Sequence, residues 1–271
     1  MKKLILLLSL AMLIPARASW AQLAPPNAQG ITMGHVHFVV ADLAAGRTFW
    51  IAMGGVPLKD KVGNNDVYKF PGVLIFLRQG DATAGSVGSI VNHVGFHVPN
   101  TTDALARWKA AGLKTEVGPN PGQGFVYTWD GATRIEILED KTQTVPIAFH
   151  HIHFFVADSA GASNVLEMQS WYAKMFGAKP GKRAQFDAAD LPGVNLTFSK
   201  SDTPTVTTKG RILDHIGFEV VDLEAFCKKA EANGAKLDMP YTKRPDLGLS
   251  LAFITDPWGT YIELNEGLDK L

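Results

Sequence analysis

The chain is 271 residues long, enough for about two domains with real cores. Its 26 basic and 26 acidic residues cancel, which leaves no electrostatic footprint for nucleic acid or for an anionic membrane surface. An apolar content of 46% and a charged content of 19% exclude a disordered chain, a collagen and a coiled coil, so the expected partner is a small molecule.

Lys2 and Lys3 precede an apolar run at 4–14, and small residues follow at 16–21. A run of about 11 residues falls short of the ~20 that a membrane span needs. Residues 1–21 therefore read as a secretory signal peptide cut near Ala21, with no span in the mature protein and a periplasmic or secreted destination. Residues 22–30, with Pro25 and Pro26, read as a flexible lead-in. Cys227 is the single cysteine, so no intrachain disulfide can form, and its place beside Phe226 on a helical pattern makes it a small core residue.

From residue 31 the sequence repeats itself. The copies open with His35-Val36-His37-Phe38, His93-Val94-Gly95-Phe96, His151-Ile152-His153-Phe154 and His215-Ile216-Gly217-Phe218, spaced roughly 60 residues apart. Each opening alternates strictly, as a half-buried strand does. A helical pattern follows each, at 43–53, 102–111, 165–176 and 223–233, and glycine ends it at Gly54, Gly112, Gly177 and Gly234. Shorter strands are expected at 73–77, 125–128, 133–138, 194–198, 250–254 and 261–264. The unit is thus one strand, one helix and about three further strands, an α+β architecture. Copies one and three share His-x-His-Phe; copies two and four share His-x-Gly-Phe. This ABAB order points to a two-copy domain duplicated whole, with domains at 31–140 and 147–267; pairing the first copy with the fourth explains it less well.

All eight histidines, His35, His37, His93, His97, His150, His151, His153 and His215, fall in these openings. Alternation puts His35 with His37, and His151 with His153, on one strand face. Gly95 and Gly217 leave room beside the histidines for an ion or a substrate. The last strands of copies two and four set Glu136 and Glu263 between apolar residues, where a buried carboxylate needs a cation. Two histidines and one carboxylate on separate strands make a metal site with open positions. The expected ligands are His151, His215 and Glu263 in one domain and His35, His93 and Glu136 in the other. Fe, Mn, Zn, Co or Ni as the divalent ion would suit this donor set. Tyr261, two residues before Glu263, shares its face and could donate a proton or orient substrate. Arg134 holds the matching place before Glu136, where it could meet a substrate acid or pair with that glutamate.

With His151-Ile152-x-Phe154, Asp214-His215-Ile216-Gly217-Phe218 and Asp256-Pro257-x-Gly259 ahead of Glu263, the sequence resembles the vicinal oxygen chelate superfamily over nearly all of 31–267. That group includes glyoxalase I, the bleomycin- and fosfomycin-resistance proteins and extradiol dioxygenases. The resemblance implies two tandem domains, each of two paired βαβββ modules in a curved open barrel around a metal. It also implies a metal that binds adjacent oxygens of a substrate and stabilises the charge that develops. Two roles are open for His37 and His153: a fourth metal ligand, or an acid–base or substrate-orienting group. Lyase or isomerase chemistry is the leading expectation. An Fe(II) extradiol-type dioxygenase and a non-catalytic antibiotic-type binder are the alternatives, and the chain is expected as monomer or homodimer.

Overall fold

The computed structural model of the protein describes residues 23–158 and 164–271, so the expected signal peptide lies outside the described residues. Module one comprises β1 (Ile31–Val40), α1 (Leu43–Met53), β2 (Val56–Pro57), β3 (Asp66–Phe70) and β4 (Val73–Gln79). Module two follows with β5 (Val91–Val98), α2 (Thr101–Ala110), β6 (Lys114–Val117), β7 (Gln123–Tyr127) and β8 (Arg134–Glu139). Module three has β9 (Ala148–Ala157), α3 (Asn164–Phe176), β10 (Lys179–Arg183), β11 (Phe186–Leu191) and β12 (Val194–Ser201). Module four has β13 (Leu213–Val220), α4 (Leu223–Ala232), β14 (Leu237–Arg244), β15 (Leu249–Thr255) and β16 (Tyr261–Glu266), then a 3-10 turn, Leu268–Lys270.

Local chemistry accounts for the helix ends. Asp42, Asn100 and Asp222 each accept a hydrogen bond from the backbone N–H three residues on, capping α1, α2 and α4. Past α1, Gly54 turns left-handed at φ 108°, where a side chain would be strained. Strands β10 and β14 were hidden in sequence because Lys-Pro-Gly-Lys-Arg and Leu-Asp-Met-Pro read as loops. Both sit at sheet edges, where proline and lysine are tolerated.

The modules form two open eight-stranded sheets, ordered β14-β15-β16-β13-β1-β4-β3-β2 and β10-β11-β12-β9-β5-β8-β7-β6. Module one therefore shares a sheet with module four, and module two with module three. The sheets thus pair the modules across the division expected at 140–147, in the alternative arrangement of first copy with fourth. The physical reason lies in the connections. Residues 80–90 carry the chain out of the first sheet, residues 202–212 bring it back, and the two crossings bond to each other. Ile90 N–H donates to Val206 O (3.0 Å), Val206 N–H to Gly88 O (3.1 Å), and Ile212 N–H to Ala84 O (2.9 Å). Modules adjacent in sequence meet instead through helices and rings: Trp50 lies 6.4 Å from Phe96, Phe176 4.8 Å from Phe218, and the Tyr172 hydroxyl donates to Asp256 (2.9 Å). One apolar core thus runs through both sheets. Cys227 is buried in it, as expected.

The Asn27 side chain donates to the carbonyls of Phe176 (2.9 Å) and Gly177 (3.3 Å) and accepts from Gln29 and Ile31, which ties residues 27–31 to the end of α3. Among the described residues no helix is long and apolar enough to cross a membrane.

Candidate metal centres

Each sheet carries one cluster, built where the opening strands of two modules run antiparallel. On the first sheet His35 and His37 of β1 meet His215 of β13 and Glu263 of β16; on the second, His151 and His153 of β9 meet His93 of β5 and Glu136 of β8. Within each cluster the ligand-type atoms all lie within 4.8 Å of one another. All six residues expected as ligands are thus gathered, but His35 and His151 have exchanged places relative to the expected sets, because the sheet partners differ.

Glycine makes this convergence possible. In the strand register Gly217 faces His35, and Gly95 faces His151. A Cβ on either glycine would come 2.0 Å from the facing imidazole Cε1. The room that these glycines were expected to leave is filled by the partner module's ring, not by an ion or substrate.

The donors suit a divalent cation. His35 Nε2 lies 3.3 Å from Glu263 Oε2 and His151 Nε2 2.8 Å from Glu136 Oε2, yet neither contact has hydrogen-bond alignment. Both ring nitrogens of His35 and of His37 are buried without a hydrogen-bond partner, as is Nδ1 of His153. Such orphans are costly unless something fills the space between them. Metal–nitrogen bonds of about 2.1 Å put opposite ligands some ~4 Å apart, close to the observed span. Each cluster therefore offers three imidazoles and one carboxylate from which an ion could take its ligands.

The centres differ in what stands behind the ligands. His215 Nδ1 is 2.6 Å from Asp214 Oδ1, whereas His93 Nδ1 is 2.8 Å from the amide oxygen of Asn92. Glu263 accepts from the Asn265 amide (2.8 Å), and Glu136 from the Gln123 amide. His153 Nε2 bonds to Ser199 Oγ (2.8 Å); the registers of β4 on β1 and of β12 on β9 put Arg78 at the matching place beside His37. Around the second centre Arg183 bonds Thr197 (2.7 Å) and His150 meets His151 (Nδ1 to Nδ1, 2.9 Å) while stacking on His97 at 3.7 Å. Arg134 does not pair with Glu136; it lies over Phe125 (4.9 Å) and reaches Asn92 (3.4 Å).

The electrostatics follow these partners. Burial works to lower His215, but Asp214 and Glu263 outweigh it and hold the imidazole above its ordinary value. Burial alone suffices to lower His35, and lowers His37 well below the usual range. Burial likewise drives His151 down to about 4 and His153 to about 2. Both glutamates stay ionised: burial pushes them up, but His215 and His35, or His151 and His93, hold them well below the carboxylate range. Burial raises the Tyr261 phenol to about 12, so it keeps its proton.

The first centre opens on a cleft of ≈ 840 Å³ lined by His37, His215, Glu263 and Tyr261, the last stacked on Phe253 at 4.8 Å. The stretch 243–248 contributes Arg244, Asp246 and Leu247 to it. By contrast 182–191 is largely a β-hairpin, and 119–124 borders a separate cleft of ≈ 540 Å³ beside α2. Sequence reading missed Asp214, Asn92, Gln123 and Arg78. The first two carried a signal, since each directly precedes the histidine of an even copy.

Four βαβββ modules in one chain, with a histidine–glutamate centre on each of two open sheets, define a tandem metal-centre fold. Residues 150–264 match the Glyoxalase/Bleomycin resistance protein/Dioxygenase superfamily. That match covers the C-terminal part of the chain, and solved structures extend the likeness in fold to the remainder. Glyoxalase I from Zea mays is 17% identical with a TM-score of 0.68, covering 89% of this chain and 94% of its own. A putative dioxygenase from Bacillus subtilis subsp. subtilis str. 168 is 13% identical with a TM-score of 0.62, covering 91% and 86%. These likenesses speak for the fold alone. No curated protein matches the sequence significantly.

Proposed function

We propose that the protein is a divalent-metal enzyme that works at its first centre on a small substrate held through adjacent oxygens, by Lewis-acid chemistry of the lyase or isomerase type. The observation that carries this reading is the set of buried, unpartnered imidazole nitrogens converging with Glu263 at the floor of an open cleft. A bound ion would supply charge stabilisation for an oxyanion or enolate. His35, His215 and Glu263 hold it. His37, neutral and with both nitrogens free, is placed to take or return a proton beside the substrate, and His153 holds the matching place in the second centre with one nitrogen committed to Ser199. Tyr261 keeps its phenolic proton on the cleft wall and can donate it to a substrate oxygen. Export to the periplasm or the medium is part of the same proposal, from the sequence of the first residues.

Elemental analysis of the purified protein, His215→Ala and His93→Ala tests it. The expected result is bound divalent metal, with the first centre's share lost in His215→Ala alone. No metal in any sample, even after reconstitution with Fe(II), Mn(II) or Zn(II), would overturn the enzyme reading in favour of a metal-free binder.

A further inference from the structure

Three cations, Arg78, Lys209 and Arg244, and three carboxylates, Asp214, Asp246 and Glu263, line the first cleft, but they are not paired one to one. Its carboxylates are all engaged inside the protein. Asp214 holds His215 and accepts from Gly210 N–H (2.6 Å), Asp246 takes two contacts from Arg244 (2.9 and 2.7 Å), and Glu263 lies among the histidines. Of the cations, Arg244 is spent on Asp246. Arg78 and Lys209 have no carboxylate partner among the described residues. They enter from different segments, Arg78 from β4 and Lys209 from the 202–212 crossing. Arg78 stands in register beyond Phe76, on the histidine face of the sheet, where the other half has Ser199. The Lys209 ammonium sits 4.2 Å over the Tyr261 ring, which fixes it at the cleft wall without neutralising it. Val62, Met239, Leu249 and Leu251 add apolar surface to the lining.

We infer that the substrate is a small organic acid: two adjacent oxygens go to the first centre, and a separate carboxylate goes to Arg78 and Lys209. The planar guanidinium can take both oxygens of a carboxylate, the ammonium adds a second charge-assisted bond, and the apolar surface receives the carbon skeleton. The inference rests on the chelating role proposed for this centre and adds the charge of the ligand. The cluster on the second sheet has Ser199 in place of Arg78, and the arginines near it, Arg134 and Arg183, enter from other positions.

Binding of 3,4-dihydroxybenzoate and of its neutral amide to the Zn(II)-loaded protein separates the two ideas, because both probes offer the same adjacent oxygens. Calorimetry on wild type, Arg78→Gln, Lys209→Gln and the double variant should show the acid binding about tenfold more tightly than the amide in wild type. The preference should fall to within about twofold in the double variant and weaken with added salt. Zinc-dependent binding of both probes with equal affinity, or a preference that survives the double variant, overturns the inference and leaves chelation standing. Zinc-dependent binding of neither probe, in protein that retains its zinc, overturns both.

Discussion

At the scale of single residues, the two centres are alike in ligands and unlike in support. Asp214 gives His215 a carboxylate partner, which makes the imidazole a better donor and adds a negative charge; Asn92 gives His93 only an amide dipole. Asp214→Asn should weaken metal binding at the first centre by ~10–100-fold, and Asn92→Asp should tighten the second, both read by competition with a chelator. The glycines permit a sharper experiment. Gly217→Ala forces the His35 ring away and should empty the first centre alone, while Gly95→Ala displaces His151 and should empty the second. Differential metal counts on the two variants check this; loss of the same ion in both would contradict the assignment. The ligand residues themselves were legible in sequence, since period-two alternation leaves few faces for a histidine or a glutamate. Arg78 and Lys209 were not: an arginine after Phe76 carries meaning only once β4 is known to lie beside β1.

At the scale of elements, every odd module offers His-x-His and every even one offers His-x-Gly, with glycine receiving the facing ring. That complementarity is satisfied equally by modules one and two or by one and four, so the strands could not reveal the pairing. The choice is made by the connections 80–90 and 202–212, whose mutual hydrogen bonds form only if both cross between sheets. Their sequences are rich in Gly, Ser and Thr and carry no periodicity to read. A consequence follows for fragments cut within 140–147. Each half would hold two ligand residues of each centre, His35, His37, His93 and Glu136 on one side and His151, His153, His215 and Glu263 on the other. Neither half alone should bind Zn(II) tightly, and mixing them should restore both ions. Tight binding by the N-terminal half alone would favour the adjacent pairing after all.

For the whole molecule, stability should depend on pH through a group away from the ligands. The buried Glu219 carboxylate accepts N–H bonds from Gly267 (2.8 Å) and Leu268 (3.0 Å) at the chain end, and burial pushes its carboxyl from 4.5 up to about 7. An acid raised on folding holds its proton longer in the native state. Its stabilising contribution is therefore complete below about pH 4.5 and is lost as pH rises to about 7, by roughly 3 kcal/mol. Glu219→Gln should flatten that part of the stability curve in denaturant titrations; an unchanged slope between those pH values would assign it to another group.

The crossed connectivity also sets a timetable. During synthesis, β5 finds β9 after roughly 60 residues, whereas β1 must wait roughly 180 for β13, although the extra loop adds only about 1 kcal/mol of closure entropy once both strands are made. Until then β1 has a bare edge, open to wrong partners. The second centre can thus close before module four is made, but the first needs Glu263 of β16, the last strand of that module. An ion held at the first centre is a certificate that the fourth module has been made and docked on the first.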